Sequence, residues 1–417
     1  MRSYYNTAVY TARFFVHLHA RFNKKSKKWV EGRKKIFARL KAEIGGKEKW
    51  VWFHASSVGE FEQGRPLIES FKNEFPNYRI ILTFFSTSGF EAKKNYQGVD
   101  YVCYLPIDTP TNAHRFISIL KPELAFFIKY DFWYNYLYEL NKNKIPTFFI
   151  STVFRKNQYF FKSYGKWFRK HLKKIDWFFV QNEDSSILLN QFGIFQNSIS
   201  GDTRFDRVAS LSSSLSHYPF IEKFKGGSRL IIAGSTWEAD EKRLLELTRI
   251  PSAKLLIVPH RLEKKHIVSL LQRFQKNGAK LYSALTEDTD LRQAKVLILD
   301  TMGMLSKIYH YADICYVGGG FGAGIHNLLE VAVYGKPVLF GPKHHKFKEA
   351  TDLVKLKAGF EVAGKEDLLS ITKRLLDDQD FYAEASTQAV EYIRKNQGAT
   401  AHILQKVKDF IPSSNAN

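Results

Sequence analysis

The chain has 417 residues, too many for one compact core and enough for two domains of about 200 each. Hydrophobic residues make up 44% and charged residues 25%, which excludes a disordered or fibrous chain. A net charge of +22 calls for an anionic partner (nucleic acid, an acidic lipid surface or a phosphorylated substrate), and the two cysteines, Cys103 and Cys315, sit in apolar runs as buried thiols suited to a reducing cytoplasm.

No cleavable leader is expected at the start. Tyr4 to Ala20 carries one charged residue, Arg13, and places Tyr5, Val9, Ala12 and Val16 on one helical face. The stretch is shorter than the ~20 apolar residues of a spanning helix. Arg21 to Lys41 then holds ten basic residues and one acidic residue. An apolar helix beside a polybasic segment is a pattern that lies on an anionic cytoplasmic leaflet. The competing reading is a helix packed on its own domain with a solvated basic tail.

Residues 49–208 alternate short apolar runs with amphipathic stretches: Trp50–His54, Arg79–Phe84, Tyr101–Leu105, Leu124–Ile128, Thr147–Ile150 and Trp177–Val180. A Ser-rich linker is expected over Ala209–Ser216. A second series follows within 217–395: Leu230–Ala233, Lys254–Val258, Val296–Leu299, Ile314–Val317 and Pro337–Phe340. Such alternation predicts two parallel, doubly wound α/β sheets with helices on both faces, and ligands at the carboxyl ends of the strands. Residues 1–48 form a basic helical segment and 396–417 a terminal helix.

Several strings stand at strand ends. His54-Ala55-Ser56-Ser57-Val58-Gly59-Glu60 reads as strand, small-residue turn and helix start, so Glu60 is either a helix-start acid or a reacting base. Gly318 to Gly324 has five glycines in seven positions, then His326, Asn327 and Glu330; a helix start there suits a phosphate, and an Asn–Glu capping box is the plainer reading. A helix cap is expected of Asp300 or Thr301. Ser235–Glu238 and His260-Arg261 suit phosphate or base contacts. Arg204 reaches either a departing anion or an inter-domain salt bridge with Asp202 or Asp206. Arg155–Lys174 holds eight basic residues interleaved with aromatics, suited to single-stranded nucleic acid, to lipid, or to a solvated helix with a buried aromatic stripe. No metal cluster is expected: Asp288-Thr289-Asp290 and Asp378-Gln379-Asp380 read as solvated surface.

The ordered set of strings resembles the Kdo transferases, bacterial enzymes that move 3-deoxy-D-manno-octulosonic acid (Kdo) from CMP-Kdo onto the lipid A precursor. The strings are His54–Glu60, Ser86–Gly89, Phe132-Trp133, Gln181–Glu183, Gly201–Asp206, Ser235–Glu238, Pro259–Arg261, Asp300–Gly303, His326–Glu330, Gly341-Pro342 with Phe347-Lys348, and Asn396–Ala399. The resemblance implies a GT-B fold, two Rossmann-like domains with the active site in the cleft between them. It also implies inverting transfer without a metal or other cofactor, on the cytoplasmic face of the inner membrane. By motif, Glu60 matches the general base, Arg204 stands where the family has a charge-stabilising Lys, and Asp131 keeps one of two usual carboxylates. His260, Arg261, Met302, Gly303, Met304, Gly320, His326, Asn327, Leu328, Leu329 and Glu330 match the CMP-binding segments. Lys24, Lys25, Lys162, Lys166 and Arg169 are expected to face the acceptor and the anionic membrane, with no nucleic-acid partner. Lys129 replaces the first carboxylate, Tyr134 a usual Pro, and Trp237 a usual His. The alternatives are a GT-B enzyme that uses a UDP-sugar and a basic nucleic-acid-binding protein.

Overall fold

The structure is a computed structural model that describes residues 1–46, 48–212, 215–322 and 324–411. It divides into two compact units, Met1–Arg207 with Gln397–Asn417, and Val208–Asn396. Three helices open the chain: α1 (Arg2–His19), α2 (Lys24–Gly32) and α3 (Ile36–Glu43).

The first unit is built on strands β1 (Lys49–Ala55), β2 (Tyr78–Phe84), β3 (Tyr101–Tyr104), β4 (Leu124–Ile128), β5 (Thr147–Thr152), β6 (Trp177–Val180) and β7 (Asn197–Ile199). They pair in the order β3-β2-β1-β4-β5-β6-β7, with parallel neighbours throughout. Helices cover both faces, so the central strands are apolar at nearly every position. The strand period of two sorts the aromatics. Phe53, Phe126 and Phe148 stack on one face at 4.6 and 5.0 Å, and Phe127 and Phe149 on the other at 5.1 Å. The high phenylalanine content is therefore mostly core.

The second unit has β8 (Arg229–Thr236), β9 (Ala253–Pro259), β10 (Lys280–Leu281), β11 (Val296–Ile298), β12 (Ile314–Val317), β13 (Val338–Phe340) and β14 (Gly359–Glu361), ordered β10-β11-β9-β8-β12-β13-β14 and again all parallel. Each strand expected from the sequence is present. Those not foreseen, β7, β10 and β14, are two or three residues long and lie at sheet edges. Segments that short carry too little pattern to be read.

The start of the expected linker is helical: Arg204–Ser212 runs across the division between the units, with Phe205 and Val208 buried three residues apart. Ser213 and Ser214 of that linker lie outside the described residues. The C-terminal segment groups with the first unit, where helix Ala399–Val407 buries Ile403, Leu404 and Val407 against Phe71 and Phe148. Asp206 fastens this return, accepting from Gly398 N and Thr400 N at 2.7 Å each. Residues 412–417 of the expected terminal helix lie outside the described residues.

The N-terminal helices pack on the first unit. Ile36 and Leu40 of α3 are buried. Arg33 donates to the carbonyl oxygens of Trp29, Leu105 and Phe85 at 3.1, 3.0 and 2.7 Å. In α1, Tyr5 donates to Asp108 at 2.6 Å, and Asn6 accepts from Asn135 at 2.9 Å. The same Asp108 accepts from Asn135 N and Tyr136 N, amides in the first turn of helix Tyr134–Lys142, whose own N-cap, Trp133, offers no acceptor. One buried carboxylate thus caps a helix and anchors α1. Asp108→Ala should leave these donors without a partner and cost at least ~2 kcal/mol. A lowered first thermal transition in calorimetry, with earlier proteolysis within residues 1–23, checks this.

Candidate active site

Because every strand in each sheet runs the same way, the loops leaving the strands line one edge. In the first unit that edge carries Ser56–Glu60 after β1, Phe85–Ser88 after β2, Lys129–Trp133 after β4 and Gly201–Arg204 after β7. Glu60 stands in the first turn of α4 (Val58–Glu74). Ser57 is the N-cap, and its hydroxyl accepts from Glu60 N at 3.3 Å. Glu60 Oε2 turns back to accept from Ser56 N at 2.6 Å and Ser57 N at 3.1 Å, which completes a capping box.

This carboxylate is also electrostatically unusual. Burial raises its pKa, and Asp131 raises it further. Lys129 and the Ser56 and Ser57 amides pull it back, and the balance lies at about 7. Asp131 is held by the Ser56 hydroxyl, which donates to Oδ2. Its Oδ2 also lies 3.4 Å from His54 Nε2. His54 is fully buried; its Nδ1 meets Thr83 Oγ1 at 2.8 Å, and its Nε2 accepts from Trp133 Nε1 at 3.0 Å. An Nε2 that accepts from Trp133 places the ring proton on Nδ1.

Arg204 sits after β7, four strands from β1, yet its loop is tied to α4. Thr203 Oγ1 donates to Gln63 O at 2.5 Å and meets Ser151 Oγ at 2.8 Å, and Gln63 Nε2 donates to Asp202 at 3.3 Å. Gln63 follows Glu60 by three residues, so the helix brings the Gly201–Arg204 loop toward Glu60. Arg204 Nε donates to Asp202 Oδ2 at 2.8 Å. Of the two partners expected, Asp202 thus pairs with Arg204, and Asp206 accepts from the start of the C-terminal helix.

In the second unit the loops after β11, β9, β8, β12 and β13 share one edge. Trp237, His260 and His326 form a stack with ring centroids 4.6 Å apart at each step. Trp237 Nε1 donates to His326 Nε2 at 3.3 Å, and the Arg261 guanidinium lies 4.8 Å from the Trp237 ring. Burial holds both imidazoles below the ordinary histidine range; Arg261 adds to this at His260, and His260 adds to it at His326. With Nε2 accepting from Trp237, His326 offers Nδ1–H as a donor.

The glycine loop after β12 needs its glycines where backbone approaches backbone. A Cβ on Gly318 would stand 2.4 Å from Ser235 O, and one on Gly320 2.6 Å from Gly341 Cα. Below it lies Asp240, which the sequence reading missed. Its carboxylate is almost fully buried and accepts from Gly319 N at 2.9 Å, Trp237 N at 2.8 Å and Tyr316 OH at 2.7 Å. The available signal was its place three residues after Trp237, the N3 position of helix Glu238–Leu244.

Some expectations change. The helix after the glycine loop is only Leu329–Ala332, with Leu328 at its N-cap, so it has few aligned peptide dipoles to offer an anion. Asn327 accepts from Leu329 N at 3.2 Å and donates to Glu330 at 3.1 Å, a local turn in place of the capping box. Leu328 and Leu329 are fully buried, which leaves only their backbone to a ligand. Asp300 turns away from helix Leu305–Ile308 and accepts from Ser283 N at 2.9 Å and Oγ at 2.5 Å. Met302 is 88% exposed beside Gly303, while Met304 Sδ receives Thr301 Oγ1 at 3.1 Å. Of the Asp-x-Asp strings, Asp290 is clamped by Arg292 and Asp378 accepts from Phe381 N.

In Arg155–Lys174, Phe160 and Phe161 are buried, and Arg169 is turned inward onto the carbonyl oxygens of Phe160 and Lys162 at 2.5 and 2.8 Å. Lys162 and Lys166 remain exposed, as do Lys24 and Lys25 on α2. The aromatic stripe of this segment is thus largely core.

A model of the family described as 3-deoxy-D-manno-octulosonic-acid transferase (kdotransferase) matches residues 20–207. The chain is 28% identical over 367 residues to the 3-deoxy-D-manno-octulosonic acid transferase of Chlamydia muridarum, covering 84% of each chain. It is 25% identical over 386 residues to a bifunctional glycosyltransferase/methyltransferase of Fusobacterium nucleatum, covering 87% of this chain and 59% of that one. Among solved structures, a UDP-GlcNAc 2-epimerase from Neisseria meningitidis bound to UDP-GlcNAc aligns with TM-score 0.61 at 14% identity, covering 87% of this chain and all of that one. At that identity the likeness concerns the fold, two doubly wound units of GT-B type.

Asp240→Ala should strip Gly319 N, Trp237 N and Tyr316 OH of their acceptor at a cost of ~1–3 kcal/mol for each group left unsatisfied. A lowered melting temperature that Asp240→Asn partly restores would identify the carboxylate as the support of the glycine loop.

Proposed function

We propose that the chain is a divergent member of the Kdo transferase family and moves Kdo from CMP-Kdo to the lipid A precursor with inversion, using Glu60 as general base. The observation that carries this reading is the Glu60 carboxylate. It is fixed by two amides at the strand-turn-helix junction and balanced at a pKa of about 7. A base with that pKa is half ionised at neutral pH and strong enough to take a hydroxyl proton as the oxygen attacks. The new bond forms at the anomeric carbon of Kdo. The bond from that carbon to the CMP phosphate breaks, and its electron pair leaves with CMP.

CMP departs as a phosphate that needs no proton. In the second unit its charge would meet the Nδ1–H of His326 and the amides of the glycine loop around Gly320, which supports transfer without a metal or other cofactor. His260, Arg261, Met302, Gly303, Met304 and the Asn327–Glu330 segment are assigned to the CMP moiety. Asp131 holds Ser56 and, as a second negative charge, raises the pKa of Glu60; its role is to position and tune the base.

We assign the protein to the cytoplasmic face of the inner membrane as a peripheral or monotopic enzyme. Among the described residues, no helix is long and apolar enough to cross a membrane. The support is α1, whose outer face exposes Tyr4, Phe14, Phe15 and Leu18, with Phe22 just beyond it, and the lysines of α2. Conversion of a lipid A precursor by CMP-Kdo and this protein, read by mass spectrometry, tests the reaction. Thermal protection by UDP but not CMP would instead favour a UDP-sugar donor.

The pH dependence follows from the base. Glu60 acts ionised, so kcat/KM should fall tenfold per unit as pH drops below about 7 and level off above it. Glu60→Gln should lose at least ~100-fold in kcat with CMP binding retained; a variant with a tenth of wild-type activity and the same acid limb would reject the assignment.

Changing Lys24, Lys25, Lys27 and Lys28 to Ser should weaken binding to anionic vesicles by several kcal/mol, at about 1 kcal/mol per charge, and more at low salt than at high. Sedimentation of vesicles with bound protein measures this, and equal binding by wild type and variant would remove α2 from the membrane contact.

A further inference from the structure

Two cavities adjoin beneath α1 and α2. The first, of about 520 Å³, is an apolar groove walled by Val9 and Val16 of α1, Trp29 of α2, and Phe85, Ile107 and Trp133 of the sheet edge. The second, of about 480 Å³, is lined by Arg13, Arg33, Lys34, Lys35 and Arg115 and by no carboxylate. Arg13, Trp29 and Ile107 line both. Each volume falls within the ~300–1,000 Å³ of small-ligand sites.

The charges of the second cavity differ in availability. Arg33 is committed to three carbonyl oxygens and stacks on Trp29 at 3.8 Å. It lines the basic cavity beside Trp29, which borders both. Arg13, Lys34 and Lys35 are exposed, and Arg115 lies over the Phe37 ring at 4.4 Å. A fixed apolar slot beside a cluster of cations is complementary to a molecule with an alkyl chain and an anionic group close together. The slot opens under the helix whose opposite face exposes Phe14 and Phe15. At its other end stands Trp133, which holds His54 and lies two residues after Asp131.

We propose that the groove takes an acyl chain of the lipid acceptor and the basic cavity its phosphate, so that α1 and α2 form a built acceptor site rather than only a landing surface. The proposal rests on the reading that the acceptor is a phosphorylated, acylated lipid. A chain drawn into the groove holds that lipid part-way out of the bilayer. Its hydroxyl then comes to the Glu60 edge without the protein entering the membrane.

Two experiments test the site on the full chain. The lipid A precursor carrying a diazirine at an acyl terminus should label the peptides that hold Val9–Val16, Trp29, Phe85 and Trp133. Excess unlabelled precursor should suppress the labelling, and phosphatidylglycerol should not. Labelling confined to Phe14, Phe15 and Phe22, or suppressed equally by phosphatidylglycerol, would mean bulk lipid contact and overturn the proposal. Ala12 lines the groove from exposed helix surface, so Ala12→Trp fills the slot without disturbing the core. It should raise KM for the acylated acceptor about tenfold, the worth of roughly two methylenes left in water, and spare a deacylated acceptor. Equal effects on both acceptors, or on neither, would overturn the groove assignment. Arg13→Gln with Arg115→Gln should weaken the phosphorylated acceptor and leave its dephosphorylated form unchanged; an unchanged phosphorylated acceptor would remove the phosphate half. If wild type transferred Kdo to neither acceptor, the enzymatic reading would fail, and photolabelling would still decide the groove.

Discussion

Parallel pairing is the constraint on which everything else here depends. A parallel strand must be followed by a crossover, so each strand delivers its next loop to the same edge. Residues as far apart in sequence as Ser56, Asp131 and Thr203 gather in the first unit because β1, β4 and β7 all end there. The same rule gathers Trp237, His260 and His326 after β8, β9 and β12. The strands supply a rigid, apolar floor, and the chemistry is confined to short polar turns above it. Hydrogen bonds between neighbouring turns then fix their relative positions, as when Ser86 N donates to Ser56 O at 2.9 Å.

Within that frame one carboxylate carries two demands that oppose one another. As a helix cap, Glu60 is best ionised, since the Ser56 and Ser57 amides donate to it. As the general base proposed above, it would have to hold a proton well enough to take one from an alcohol. Burial and Asp131 supply the second property, and the amides and Lys129 limit it. Lys129 sits in the left-handed region at φ 65°, a conformation that costs a non-glycine residue ~1–3 kcal/mol and recurs at functional sites. A lysine at this place offsets part of the repulsion between Glu60 and Asp131. With Lys129 beside the pair, the Glu60 carboxyl stays at about 7.

The central strands were legible because a fully buried parallel strand is a run of apolar residues between turns, and each such run is a strand. The three short edge strands were not, since two or three residues cannot show a period. Glu60, His260 and His326 were singled out as polar residues at strand ends, and Asp131 only through the family resemblance; the structure places all four at the strand-end edges. Asp108 and Asp240 were not: each acts through contacts with residues distant in sequence, Tyr5 and Tyr136 in one case and Tyr316 and Gly319 in the other. The helix expected after the glycine loop was misread in length. Asn327 closes a two-residue turn with Leu329 N, and that bond delays the helix to Leu329.

The charge of +22 is likewise divided by chemistry rather than spread evenly. Several arginines of the basic segments face the protein. Arg33 takes three carbonyl oxygens, Arg39 those of Gly32 and Lys34 at 2.8 and 3.0 Å, and Arg169 those of Phe160 and Lys162. Guanidinium suits this task because its planar fork satisfies several carbonyls at once and is weakly hydrated. The lysines Lys24, Lys25, Lys162 and Lys166 stay in water, where a compact ammonium is well solvated and free to meet lipid phosphate. The solvent-exposed positive charge of these segments thus falls mainly to lysine, while arginine holds the helices that carry it. Exchanging the two residue types within these segments would preserve net charge and still separate adhesion from stability.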